Sequence, residues 1–392
     1  MFDFITQLIW KRKTKSTDTP ARDPESIRVQ IPVTGAGAGE NKQAPEPSPA
    51  HRQEKNISDF TRIKETEPII IDEKSAGGKA EETTADKKKE LRRSLSFSNN
   101  FSNIILKGEK AEWFVVSASA TGKSHQGHLP CQDNHHCEAI NTKWGIAVSC
   151  DGAGSAVNSH LGSDYVANEL AIKSFKELVI KNGWHENNTL PSQEQWSWLA
   201  REACIKIYNE LDQFAGHSQI DLSSLACTLI VLIYSPDGLL VTHIGDGRAG
   251  YCNERLEWKA IITPHKGEEA NHTIFITSDK WISDPGFSMS GRPVPESNVI
   301  TEKAIAFTAL SDGCELHAFE CSVMNTANNK WYDPNTPYAK FFNPLVKNLR
   351  MMNESNIPPE RANDKWRKFI ESGSSDMESE RDDKTMILGI NI

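Results

Sequence analysis

Cys150-Asp151-Gly152-Ala153-Gly154-Ser155 follows a run of apolar and small residues, Trp144 to Ser149, and precedes a segment with helical spacing. The run predicts a buried strand. Its end carries a carboxylate and then two glycines. A strand end holds an Asp in place, and glycines let the backbone turn sharply and leave room for a ligand close to the main chain. Taken alone, Asp-Gly is an ordinary turn signal.

The arrangement recurs. Ile244-Gly245-Asp246-Gly247 follows the apolar run Leu239 to His243, and Leu310-Ser311-Asp312-Gly313 follows Ala304 to Ala309. Arg381-Asp382-Asp383-Lys384-Thr385 comes just before Met386-Ile387-Leu388, and Gln132-Asp133 sits shortly after Trp113 to Ala120. A turn accounts for any one of these sites. Five together, each beside a strand-like run, have the pattern of converging hard-oxygen ligands. Clusters of Asp without paired His or Cys suit magnesium or manganese better than zinc.

Composition narrows the field. A chain of 392 residues can build a large core and more than one region. The net charge of −9 argues against a general nucleic-acid binder. The eight cysteines are scattered with no Cys-x-x-Cys pair, which reads as reduced thiols of a cytoplasmic protein. Met1 to Trp10 is apolar and ends in Lys11-Arg12-Lys13. Its order of charge and apolar residues is not that of a signal peptide, and it is far shorter than the roughly 20 residues that span a bilayer. Segment 1–13 reads as a short helix for docking on a partner or a membrane surface, or as a frayed terminus. The expected location is the cytoplasm, with a peripheral place at the inner membrane as an option.

Segment 14–108 is poor in apolar residues and rich in Pro, Glu, Lys, Ser, Thr and Gly, and predicts a long disordered tail or linker. Its Lys87-Lys88-Lys89 and Arg92-Arg93-Ser94-Leu95-Ser96 could serve as a kinase target or docking site, against the plainer reading of a solvated charge run. A folded domain is expected over 109–392. Trp113 to Ala120 predicts a strand. Ser159 is a plausible cap for a helix with Leu161, Tyr165, Ile172, Phe175 and Val179 on one face. A second helix is expected over Gln193 to Ala215. Leu225 to Tyr234, the turn Ser235-Pro236-Asp237-Gly238 and Leu239 to Ile244 predict a hairpin. Strands are expected near Ala249–Cys252, Glu257–Ile262 and His272–Thr277, a flap-like loop between Asp279 and Glu296, and helices near Glu315–Asn325, Pro337–Met352 and Pro358–Glu371. Thr385 to Ile392 closes the chain as a strand. Runs of antiparallel strands with a few long helices indicate an α+β fold.

The ordered set Gly122-Lys123-Ser124-His125, Leu129-Pro130-Cys131-Gln132-Asp133, Asp151-Gly152-Ala153-Gly154-Ser155, Gly245-Asp246-Gly247, Ser311-Asp312-Gly313 and Asp382-Asp383-Lys384-Thr385 resembles the metal-dependent protein phosphatases (the protein phosphatase 2C, or PPM, family), and within it a bacterial serine/threonine phosphatase subgroup. The resemblance covers Trp113 to Ile392. It implies two packed antiparallel sheets flanked by helices, an α-β-β-α sandwich with a dimetal centre at one end. It implies that Asp151 bridges two divalent ions, Mn2+ or Mg2+, that Gly152 offers its carbonyl, that Asp312 and Asp382 complete the first ion's shell, and that Asp133 serves the second directly or through water. Asp246, with Asp312, would serve a weaker third ion. Two such ions activate a water and clamp phosphoryl oxygens for in-line attack on phosphoserine or phosphothreonine.

Members of that subgroup can be encoded beside a serine/threonine kinase and a von Willebrand factor A-type protein, so both become expected partners beside a phosphorylated protein substrate. The sequence departs from the family in places. Many members carry an Arg before the first acidic motif that grips the substrate phosphate, and no Arg occurs between Trp113 and Asp133. His125 is nominated for that place, as phosphate binder or proton donor, with His128 and Lys123 as lesser substitutes. Gln132 stands where many relatives have Glu, and Glu315 lies near a position where some carry a third-ion Asp. The leading reading is a metal-dependent phosphoprotein phosphatase. The alternatives are a catalytically weak phosphoprotein-binding or scaffold module and a hydrolase of small phosphoesters.

Overall fold

Successive side chains of a strand point to opposite faces, and in this chain both faces are buried. In the strand Leu229–Ser235, Leu229, Val231 and Ile233 enter one core, while Ile230, Leu232 and Tyr234 enter another. In Trp113–Ala120, Trp113 and Val115 share that second core, and Phe114, Val116, Ala118 and Ala120 face a third. Three cores require four layers. The computed structural model describes residues 111–267, 273–326 and 328–392. The expected segment 1–13 and tail 14–108 lie outside the described residues.

Ten strands build two five-stranded antiparallel sheets: β1 (Trp113–Ala120), β2 (Asn134–Ala139), β3 (Gly145–Cys150), β4 (Leu229–Ser235), β5 (Gly238–Ile244), β6 (Arg248–Asn253), β7 (Trp258–Ala260), β8 (Glu296–Ile300), β9 (Ala304–Leu310) and β10 (Lys384–Asn391). One sheet runs β1-β10-β9-β6-β7 and the other β8-β5-β4-β3-β2. The helices Ser159–Tyr165, Ile172–Lys181 and Gln193–Ser218 cover the second sheet, and Ala339–Glu354 and Pro359–Ser372 cover the first. This is the α-β-β-α sandwich that the motifs implied.

Register decides where the acidic motifs meet. Asn134 pairs with Cys150, Leu229 with Ile244, Leu310 with both Arg248 and Met386, and Ala120 with Lys384. In antiparallel sheets the end of one strand lies beside the start of the next. The start of β2, the end of β3, the end of β5, the end of β9 and the start of β10 therefore lie at one edge of the sandwich.

Several elements differ from expectation. Ser159 is the first helical residue and Asn158 the cap, and its side chain makes no capping bond. That helix passes through a π-helical turn, Val166–Ala171, before Ile172–Lys181. Leu222–Leu225 is a 3-10 turn, so the hairpin begins only at Leu229. Among the described residues of His272–Thr277 there is no strand. Thr273 makes an isolated bridge to Lys266, and Ile274 and Ile276 are buried against the helices in loop conformation. The expected helix Glu315–Asn325 stops at Ala318, because Phe319–Glu320 and Val323–Asn325 pair with Thr336–Pro337 and Lys330–Tyr332. The flap-like loop contains a short helix, Asp279–Ser283, and a small hairpin.

Candidate metal centre

The gathered strand ends surround a cavity of about 700 Å³ lined by Asp151, Asp246, Asp312 and Asp382 together with His125 and Arg381. Asp133 stands behind these, only 2% exposed, and its Oδ2 accepts from Ser311 Oγ at 2.7 Å. Asp151 is fixed from both sides of its peptide: its N–H donates to Thr228 Oγ1 at 3.0 Å, and its carbonyl accepts from the Thr228 N–H at 2.7 Å. At Gly152 a Cβ would stand 2.6 Å from the Gln132 carbonyl oxygen, so only glycine lets the end of β3 approach the start of β2 this closely.

Like charges crowd the site. Burial above all pushes the Asp133 carboxyl up to about 8. The Ser311 hydrogen bond opposes that push, while Asp383 and Asp312 add to it. Asp312 is pushed up to about 7, first by burial and then by Asp246 and Asp382. Asp151 lies well above the ordinary carboxylate range, through burial and then through Asp133, Asp312 and Asp246. Asp246 and Asp382 are raised as well, again chiefly by burial. Two oxygens, Asp133 Oδ1 and Asp312 Oδ1, are buried with no hydrogen-bond partner. Buried acceptors without donors are costly. Divalent cations with oxygen shells answer both problems, since they neutralise the carboxylates and take up the orphaned lone pairs. The residues present fit such ions.

Two residues that sequence reasoning did not single out shape this side of the site, Arg381 in the cavity wall and Asp383 behind it. Asp383, 2% exposed, accepts from the N–H groups of Gly122 at 2.7 Å and Gln132 at 2.5 Å, and its Oδ1 is 3.1 Å from His125 Nδ1. It anchors the loop that bears His125 and lies beside the imidazole, whose buried Nδ1 makes no hydrogen bond. Arg381 Nε donates to Ser124 Oγ at 3.4 Å, and the loop N–H groups of Lys123 and Ser124 donate to the carbonyls of Glu380 and Arg381 at 2.8 and 3.0 Å. An arginine thus reaches the cavity from the approach to β10, not from the loop after β1. The signal was its place one residue before Asp382; the contact across more than 250 positions was not legible. His128, whose Nδ1 meets the Gln126 carbonyl at 3.1 Å, and Lys123 do not line the cavity.

The family model described as protein phosphatase 2C matches residues 121–362. The chain belongs to the protein phosphatase 2C family. It is 28% identical over 286 residues to serine/threonine-protein phosphatase 3 of Escherichia coli (strain K12), covering 71% of this chain and 98% of that protein. Similar solved structures include the serine/threonine phosphatase Stp1 from Staphylococcus aureus, at 14% identity and a TM-score of 0.42 over 72% of this chain and 96% of that one. Another is the serine/threonine phosphatase of S. agalactiae, at 14% identity and 0.41 over 71% and 100%.

Among the described residues of this protein phosphatase 2C chain, His243, His265 and Glu296, all buried, form a further cluster of metal-ligand residue types. The two imidazoles are stacked with centroids 4.2 Å apart and planes 6° from parallel. Lone pairs lying in two parallel planes do not converge on one ion. His243 Nε2 meets the Thr263 carbonyl at 3.0 Å, His265 Nε2 meets that of Pro293 at 3.1 Å, and His265 Nδ1 accepts from the Gly245 N–H at 3.3 Å. Burial lowers both pKa values, that of His265 to about 4. The pair is a neutral clamp that holds the turn before Asp246.

Proposed function

We propose that this chain is a metal-dependent serine/threonine phosphoprotein phosphatase that hydrolyses phosphoserine and phosphothreonine monoesters with water. The observation that carries the reading is the convergence of four aspartates on one cavity, with Asp133 buried behind them, and with oxygens of Asp133 and Asp312 buried and unpartnered. Asp151 and the Gly152 carbonyl would hold two divalent ions between them, Asp312 and Asp382 would complete the shell of one, and Asp133 would serve the other. When bound, these ions supply an activated water and hold the phosphoryl oxygens.

The chain's own groups do the rest. Arg381 offers a guanidinium to the substrate phosphate, in the role that the sequence leaves unfilled between Trp113 and Asp133. His125, steadied by Asp383, faces the same cavity and can deliver a proton to the ester oxygen as the water oxygen bonds to phosphorus and the phosphorus–ester bond breaks. The carboxylates hold the ions, and none need attack the phosphate.

The full acidic set supports catalysis over a scaffold role. All eight cysteines are free, in keeping with a reducing, cytoplasmic setting. Among the described residues no helix is long and apolar enough to cross a membrane. A cognate kinase, a von Willebrand factor A-type partner and docking through segment 1–13 rest on the motif resemblance and the sequence of that segment.

The test is phosphate release from a phosphothreonine peptide by the full chain with Mn2+, with Mg2+ and with chelator. Metal-dependent turnover that falls by at least about 10²-fold in Asp151→Asn is expected. A folded, metal-binding wild type that releases no phosphate would favour the phosphoprotein-binding alternative.

A further inference from the structure

Three charged side chains on the Asp246 side of the cavity are left unused by the two-ion reading. Arg248, the first residue of β6, is fully buried. Its Nε donates to Glu315 Oε2 at 2.9 Å, and its terminal nitrogens reach Asp333 Oδ2 and Asn335 Oδ1, each at 2.6 Å. Lys266 Nζ meets Glu315 Oε1 at 3.0 Å and Oε2 at 2.9 Å. Both oxygens of Glu315 are therefore engaged by cations. To enter an ion's shell, Glu315 would have to shed an ammonium and weaken its hold on a buried guanidinium, which would leave that charge underpaired.

Lys266 is bound to the site through the backbone. The N–H of its neighbour His265 donates to the Gly245 carbonyl at 2.8 Å, immediately before Asp246. Lys266 also pairs by an isolated bridge with Thr273, which lines the cavity. An ammonium fixed here repels a further divalent ion and neutralises part of the charge that would attract one.

We propose that the Lys266 ammonium, seated on Glu315, is the resident cation on the Asp246 side of the site, so that the chain works with two divalent ions and takes up no third. The proposal rests on the phosphatase reading for the first two ions. It also disagrees with the third-ion role that the motif resemblance implied for Asp246.

The experiment counts Mn2+ bound to the full chain by titration with paramagnetic detection, with no substrate present. Wild type is expected to bind two ions and to show no further uptake into the millimolar range. Lys266→Met, at a side chain 41% exposed and thus free to change without opening the core, is expected to take up one more. That ion should bind at least about tenfold more tightly than any third ion on wild type. Asp246→Asn in the Lys266→Met background should abolish it, and Lys266→Arg should behave as wild type. A third ion on wild type that binds as well as in Lys266→Met would overturn the proposal, as would a Lys266→Met chain that stays at two. A folded wild type that binds fewer than two ions and releases no phosphate would instead overturn the phosphatase reading itself.

Discussion

Arg381 and His125 stand on one wall of the cavity, each held by a contact between the loop after β1 and the segment before β10. Their expected signatures differ. A guanidinium that holds the phosphate in ground state and transition state alike contributes to binding, so Arg381→Ala should raise KM for a phosphothreonine peptide about tenfold while kcat changes less. A proton donor to the leaving oxygen acts in the transition state, so His125→Ala should lower kcat by roughly 10²-fold or more with little change in KM. Steady-state kinetics on the two variants separates the roles, and an Arg381→Ala enzyme with wild-type KM would remove Arg381 from phosphate binding. On this side of the site, sequence reading reached His125 and Asp382. It missed Asp383 and Arg381, because a carboxylate beside a nominated ligand looks redundant until its partners across the chain, Gly122 and Gln132, are seen.

At the scale of elements, the readable signal for strands was the continuous apolar run bounded by turn residues. β1 and β5 are such strands, and their bounds were close to expectation, whereas β4 begins at Leu229, past the start of the apolar run at Leu225. β2 was not legible. Asn134-His135-His136-Cys137-Glu138-Ala139 carries little strand propensity and exists as a strand because it pairs with β3 from Asn134↔Cys150 to Ala139↔Gly145. The opposite error occurred after Asp312, where helical spacing ran on but cross-strand partners further along the chain claimed Phe319 and Val323.

Packing between the sheets should carry measurable stability. Leu232 is fully buried between them, and Leu232→Ala is expected to cost about 2–5 kcal/mol in chemical unfolding. Trp198, 63% exposed on the helix Gln193–Ser218, should tolerate Ala within about 0.5 kcal/mol. Equal losses at the two sites would contradict the layer assignment.

For the whole molecule, the gathered carboxylates couple folding to pH and, on the proposed reading, to metal. In the metal-free protein Asp133 and Asp312 keep their protons up to about 8 and about 7, far above their range in an unfolded chain. The folded state then binds more protons than the unfolded one. Stability from these groups is full below the ordinary carboxylate range and is lost as pH rises through 7 and 8. Divalent ions held by these carboxylates would replace those protons, so the rise in Tm on adding Mn2+ should be larger near about pH 8 than near about pH 6. Thermal unfolding with and without Mn2+ measures it, and an equal rise at both pH values would detach the metal from this cluster. The expected domain boundary makes a separate prediction. A chain starting at Glu109 should retain hydrolysis of a short phosphopeptide, and complete loss of activity in a folded truncation would place part of the site before that residue.

The sequence by itself determined the fold class, the family and the acidic strand ends, because those depend on local periodicity and on short motifs whose order along the chain survives without coordinates. Tertiary structure alone decided which neighbours those motifs acquire. Register brought Asp133, Asp151, Asp246, Asp312 and Asp382 to one edge; it also turned Asp383 toward His125, Arg381 toward Ser124, and Lys266 with Arg248 onto Glu315. These are contacts across tens to hundreds of residues, made by charged side chains that carry no local periodicity. Their energies arise only when burial and proximity act together, and neither is written in the chain one window at a time.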